Sequence, residues 1–313
     1  MKKFILFIFM TFNACSQEKP AGKLVVFHAG SLSVPLKKIL AEFSKNSPRV
    51  NVLCEAAGSV ECARKISELK RPCDVLVSAD YTVIDKMLMP DYTEWNIKFA
   101  ANEMSIAYQK KSRRNAELSA TNWYEVLLDP SVIYARSDPN TDPCGYRTVF
   151  MMQLSEKYYS KHGLVEAMLK KDVDFIRPKE TDLLALLESG SVDYIFIYKS
   201  VAMQHGLKFL ILPDEINLKN NAMAGYYQNA IISLKGQKPN ETIIIRGQPI
   251  IYGITILKNA SNYAAAVAFL EYVLSSEESL KILEETGHTI LKPPVCESKD
   301  KLPDRIKKIV AER

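Results

Sequence analysis

One three-residue pattern occurs twice near the front of the chain, as Ala29-Gly30-Ser31 and Ala57-Gly58-Ser59. The glycine lets backbone approach a ligand closely, and the serine sets a hydroxyl beside the free N–H groups of a helix entrance. Helix N-termini carry partial positive charge, so this is the chemistry of an anion site. Helix capping accounts for one such serine. Two in equivalent loops, facing one cleft, make donation to a ligand the competing reading. Tyr198, closing the run YIFIY, is either a core ring with a buried hydroxyl or a further donor.

The stretch DPNTDPCGYRT (138–148) contains a conflict. Its middle looks like a helix entrance suited to an anion, yet Asp142 at that entrance is itself an anion. Glu180, in RPKETDL, also precedes a helix. Each acid alone is an ordinary cap. Cys144 introduces a different chemistry, because a helix start beside a glycine lowers a thiol pKa and suggests a cysteine hydrolase. Such an enzyme also needs a nearby histidine and an oxyanion hole. His28, His162, His205 and His288 are scattered, and none sits in a motif that makes it a base or a ligand.

The elements that must position these residues follow from periodicity. KLVVFHAGSLSVPLKKILAEF is an apolar strand, a tight loop, and a helix with Leu36, Ile39, Leu40 and Phe43 inward. NVLCEAAGSVECARKISEL repeats that grammar, and CDVLVSADYTVIDKML does so again with Asp80 as N-cap. Three successive βα units imply a parallel sheet with right-handed crossovers and ligands at the carboxyl ends of its strands. A second set begins near residue 101 with the strand EMSIAYQ, then a strand, loop and helix through CGYRTVFMMQLSEKYY. ETDLLALLESG is a short amphipathic helix stopped by Gly190. VDYIFIYKSVAMQHG is another strand and helix, and 214–245 reads as a polar loop. PIIYGITILK (249–258) is a strand, and a long helix with a break near Ser275-Ser276 follows it.

Length and order therefore predict two α/β lobes with strands crossing between them near 100 and 250. The first lobe would take 24–100 and 251–313, the second 101–250, with a cleft between them. A 47% hydrophobic content over 313 residues supports one large core or two ordinary ones. Net charge is +5, two of it in the leader, with no dense basic run, which argues against a nucleic-acid partner. MKKFILFIFMTFNAC has two lysines, an apolar run and Ala14-Cys15, the form of an export signal. Cleavage before Cys15 and lipidation on it would leave 16–23 as a tether and a membrane anchor at the periplasmic face. The other five cysteines are odd in number and lack zinc-like spacing, so they read as small buried hydrophobes.

In this order, VVFHAGSLSVPL, AGSVECARKI, DVLVSADYTVI, SDPNTDPCGYR, RPKETDL, ESGSVDYIFIYKSVAMQHGL, LPDEINL and PIIYGITILK resemble the tungstate/molybdate-binding proteins of ABC importers. The similarity runs from about 23 to 295 and is greatest to the tungstate-type branch first known from archaea. It implies a class II periplasmic-binding fold, an α/β architecture of two lobes, each with a mixed, largely parallel sheet flanked by helices. It further implies a monomer without a cofactor that closes on a bare oxyanion and delivers it to a permease.

By motif, Ser31 and Ser59 correspond to hydroxyl ligands of the first lobe and Tyr198 to a tyrosine donor. Asp142 and Cys144 correspond to the second-lobe loop, with Asp138 as the alternative acid, and Glu180 to the acid opening the next helix. In that branch two carboxylates approach the metal itself and expand a tetrahedral oxyanion to six-coordination. The resemblance thus resolves the conflict at Asp142. Tungsten(VI) and molybdenum(VI) are hard cations inside a dianion, so hydroxyls can hold the oxo atoms while carboxylates donate to the metal. Sulfate and phosphate centres do not readily expand, and the acids would repel them. A receptor for another oxyanion such as phosphate would need one acid, to accept from a protonated ligand.

Overall fold

The computed structural model describes residues 20–236 and 241–312. Cys15, the leader and most of the tether lie outside the described residues. The three predicted βα units are present. Strands β1 (Gly22–Ala29), β2 (Val50–Ala57) and β3 (Val75–Ser78) pair in parallel in the order β2-β1-β3. Helices Ser33–Asn46, Ser59–Ser67 and Tyr81–Met87 follow them.

Strand β4 (Ile97–Ala101) runs through Asn102 and Glu103 into β5 (Met104–Tyr108), and these two strands belong to different sheets. The second sheet adds β6 (Tyr134–Ser137), β7 (Ile176–Arg177), β8 (Tyr194–Tyr198) and β9 (Lys208–Leu210), in the order β7-β6-β8-β5-β9. Strands β10 (Ile231–Lys235) and β11 (Thr242–Arg246) form a separate antiparallel pair. The chain then returns through β12 (Ile251–Ile256), β13 (Thr289–Cys296) and β14 (Ala311–Glu312) to complete the first sheet, β14-β13-β4-β12-β3-β1-β2.

The sheets are mixed rather than largely parallel. In the first, the pairs β3–β12, β12–β4 and β4–β13 are antiparallel, as are β5–β8 and β5–β9 in the second. Every one of these pairs involves β4, β5 or β12. Those strands lie where the chain passes between the sheets, so no helical crossover returns them in the parallel sense. At the sheet centres, all residues of β3 and β8 are buried, as expected of strands with both faces covered.

The expected break in the C-terminal helical region is real. Ser276 is extended, ends helix Tyr263–Ser275 and caps helix Glu277–Glu285, its Oγ accepting from the Ser279 N–H at 3.0 Å. Helix Leu183–Ser189 ends at Gly190, whose φ of 77° is the left-handed conformation a stop requires. The 214–245 region is not simply a loop, since it holds short helices and the β10–β11 pair. The hairpin shows the same half-exposed burial on both strands, which gave little apolar alternation to detect. Of the five described cysteines all are free and four are buried; Cys54 is exposed because β2 is an edge strand.

Candidate functional site

The two serines are not caps. Ser31 lies within a short 3-10 turn (Gly30–Leu32) that precedes helix Ser33–Asn46, and Ser59 is the first residue of its helix. No side-chain cap hydrogen bond forms at either helix start. Ser59 Oγ instead accepts from the Ala79 N–H at 2.9 Å, beyond the end of β3. Ser31 Oγ accepts from the Tyr252 hydroxyl at 3.0 Å, and Tyr252 in turn accepts from Asn102 at 2.9 Å. Tyr198, the last residue of β8, accepts from Arg147 Nη1 at 2.7 Å. All three hydroxyls are fully buried. Each has its oxygen engaged as an acceptor, which leaves its proton as the group it can offer to a ligand.

The two acids meet. Asp142 is the N-cap of helix Pro143–Tyr159, and its Oδ1 accepts from the Cys144 N–H at 3.2 Å. Its Oδ2 accepts from the Glu180 N–H at 2.7 Å. Glu180 opens the turn Glu180–Asp182 ahead of helix Leu183–Ser189, but its carboxyl caps neither element. It lies beside the Asp142 carboxyl, while Oε1 is buried without a hydrogen-bond partner. Burial raises the pKa of both acids. For Glu180 the negative charge of Asp142 pushes further in the same direction, well above the ordinary range. For Asp142, the hydrogen bonds it accepts from the backbone N–H groups of Cys144 and Glu180 are among the influences that oppose the rise. Burial and the mutual repulsion of the two acids thus both favour a proton held between them. Asp138, the alternative acid, is half-buried and turns its Oδ1 to the Asn140 N–H at 2.9 Å, bracing its own loop.

Cys144 is fully buried, and its thiol donates to the Phe196 carbonyl at 3.7 Å. Burial pushes its pKa well above the usual thiol value, and the negative charges of Asp142 and Glu180 add to that. The expectation that a helix start would lower it is reversed, because desolvation outweighs the helix dipole here. Among the described residues no histidine hydrogen-bonds to this thiol. His28 contacts the Ala29 carbonyl, and His288 packs edge-on to the Tyr252 ring at 5.2 Å.

Glycines bring the two sets of loops together. A Cβ on Gly30 would lie 3.0 Å from Thr181 Oγ1 and 3.5 Å from Glu180 Oε1. On Gly58 it would lie 2.2 Å from the Thr141 carbonyl oxygen, which accepts from the Glu61 N–H at 3.3 Å. Gly30-Ser31 therefore faces Glu180, and Gly58-Ser59 faces Asp142. Ser31, Ser59, Asp142, Glu180, Cys144 and Tyr198 are gathered where the first-sheet loops meet the second-sheet loops.

Sequence reasoning missed the charged centre beside them. Arg147 is buried, donates from Nη1 to both Tyr198 and the Ala79 carbonyl at 2.7 Å, and places Nη2 3.1 Å from Asp80 Oδ2. Tyr146 donates to the same Asp80 oxygen at 2.6 Å. The signal was present in CGYR, where an arginine sits one turn into a helix whose neighbours are apolar. Among the described residues no group of three or more His, Cys, Asp or Glu side chains is arranged to hold a metal ion. The acids are a pair, accompanied by hydroxyls.

The pattern of a bacterial extracellular solute-binding protein family matches residues 24–289. A solute-binding protein of Petrotoga mobilis, named as uncharacterized, is 46% identical over 97% of this chain and 94% of its own length. The molybdate/tungstate-binding protein WtpA of Thermococcus kodakarensis is 41% identical, with 96% and 90% covered. The protein of the same name from Pyrococcus abyssi is 40% identical, with 92% and 90% covered. Among solved structures, the periplasmic molybdate-binding protein of Azotobacter vinelandii has a TM-score of 0.62 over 86% of this chain and 99% of its own, at 15% identity. That last likeness is one of fold.

Proposed function

This chain belongs to the bacterial extracellular solute-binding protein family, and we propose that it captures tungstate or molybdate between its lobes and delivers it to the permease of an ABC importer. One observation carries the reading. Three buried hydroxyls, each already accepting one hydrogen bond and with a proton to offer, converge with two neighbouring carboxyls, one of which has an unmatched buried oxygen.

Hydroxyl protons suit the oxo atoms of an oxyanion. Carboxylate oxygens do not, but they are hard ligands for a hard hexavalent metal inside it. Glu180 Oε1 and Asp142 would donate to the metal, with Ser31, Ser59 and Tyr198 on the oxo atoms and Cys144 shaping the wall. The same acids would turn away sulfate and phosphate, whose centres do not readily accept extra ligands. The names of the Thermococcus and Pyrococcus relatives support the choice of cargo. A phosphate receptor needs one acceptor acid, and the second here would only repel. A hydrolase built on Cys144 would need a thiolate, which burial opposes.

In this reading the mature chain is an exported monomer, tethered by a lipid on Cys15, and it carries its cargo without a resident cofactor. The test is calorimetric titration of the mature protein with tungstate, molybdate, sulfate and phosphate. One-to-one binding of the first two is expected. At a thousandfold excess over Kd it should stabilise the fold by about 4 kcal/mol. No heat and no thermal shift with either metal oxyanion would reject the cargo.

A further inference from the structure

We propose that Arg147 is a positioning residue that ties closure of the two lobes to the orientation of the Tyr198 hydroxyl, with Asp80 as its anchor on the opposite lobe. The inference rests on the oxyanion reading above, since it gives Tyr198 a ligand to address. It adds a residue that acts through Tyr198, to which it donates.

The geometry is a chain of three links. Asp80 is fixed within the first lobe, where its Oδ1 accepts from the Thr82 N–H at 2.8 Å and the Thr82 hydroxyl at 2.9 Å as the cap of helix Tyr81–Met87. Its other oxygen points out of that lobe. There it receives the Tyr146 hydroxyl at 2.6 Å and faces Arg147 Nη2 at 3.1 Å, two consecutive residues of the second-lobe helix Pro143–Tyr159. Arg147 Nη1 then donates to Ala79 of the first lobe and Tyr198 of the second, each at 2.7 Å.

The energetics make this assembly conditional on closure. Arg147 and Asp80 are 1% and 2% exposed at their side chains, so an unpaired charge at either place would be strongly unfavourable. The carboxylate that pairs with Arg147 belongs to the other lobe. When the lobes part, both groups return to water and lose each other. When they close, the guanidinium is held by Ala79 and Asp80, and only then is the nitrogen that fixes Tyr198 Oη itself fixed. Tyr198 becomes an aligned donor in the closed form alone. The arrangement should slow release of the bound ion without affecting its first encounter with the open cleft.

Asp80→Asn tests this while keeping a residue that caps helices as well as aspartate. Tyr146→Phe is the milder second variant, removing one hydroxyl and keeping the ring. Stopped-flow binding of tungstate should show association within about twofold of wild type in both. Dissociation should rise at least about tenfold for Asp80→Asn and about threefold for Tyr146→Phe. The number of oxygens around tungsten, read by X-ray absorption, should not change. Combining Asp80→Asn with Tyr198→Phe should add less than the separate losses, because the two act through one link. Unchanged dissociation in both single variants, or fully additive losses in the pair, would overturn the proposal. If wild type binds no tungstate, the cargo reading fails and the role given to Tyr198 falls with it, whereas tungstate binding with unchanged dissociation in both single variants overturns the latch alone.

Discussion

The backbone N–H of Glu180 donates to Asp142 Oδ2 at 2.7 Å, joining two acids that stand 38 residues apart in the chain. The bond places the Glu180 carboxyl against the Asp142 carboxyl and leaves Glu180 Oε1 buried and unmatched. It also makes the two acids unequal, and that inequality is testable.

Asp142 uses both oxygens as acceptors, one for Cys144 and one for Glu180. Asparagine has one carbonyl oxygen, so Asp142→Asn should lose a hydrogen bond and about 1 kcal/mol of fold stability. Glu180→Gln removes a group whose ionisation burial opposes, and should cost the ligand-free fold little. Tungstate affinity should fall at least about tenfold in each, roughly 1.4 kcal/mol. Chemical denaturation and calorimetry measure the two effects separately. X-ray absorption of the wild-type complex should show carboxylate oxygens beyond the oxo shell; four short W–O distances alone would rule out metal ligation by either acid.

The raised pKa values of this pair set a pH dependence. A carboxyl whose pKa is higher folded than unfolded binds its proton more tightly when folded. That contribution is fully present below the ordinary carboxyl range near about 4 and is lost as pH rises through the raised folded value. The difference in stability between Glu180→Gln and wild type should therefore grow in favour of the variant as pH rises. Metal ligation needs both carboxylates bare, so tungstate should bind more tightly at higher pH and release protons. Titrations in buffers of different ionisation heat count those protons, and a count of zero would contradict the shared-proton pair.

Gly58 tests closure by steric means. Its φ of −61° suits any residue, so alanine introduces no backbone strain. The new methyl would nevertheless sit 2.2 Å from the Thr141 carbonyl of the facing loop. Gly58→Ala should keep a near-normal ligand-free melting temperature and lose at least about tenfold in tungstate affinity, about 1.4 kcal/mol. Wild-type affinity in this variant would show that the loops need not meet for capture.

Cys15 lies outside the described residues, and its role is tested in cells. Cys15→Ser should abolish lipid labelling and free the chain from the membrane fraction. Unchanged membrane attachment in that variant would reject the anchor and leave export standing.

Much of the fold was legible because it is local. Strand, loop and helix alternate over a few residues, so the three βα units, the Asp80 and Asp142 caps, the Gly190 stop and the break at Ser276 could be read directly from spacing. The paired Ala-Gly-Ser loops marked one side of the site for the same reason. What tertiary structure decided is what burial and distant partners decide. The serines are not caps, because Tyr252 lies 221 residues from Ser31 and the Ala79 N–H comes from another unit. Cys144 is the reverse of an activated thiol, because desolvation depends on what surrounds a helix start as well as on its dipole. Arg147 lies 51 residues from Tyr198 and 68 from Ala79, and only the meeting of the lobes converts an arginine on an apolar helix face into a buried link between them. Antiparallel pairing at β4, β5 and β12 has the same origin, since strand direction there depends on the path of the chain between sheets, which no short window of sequence contains.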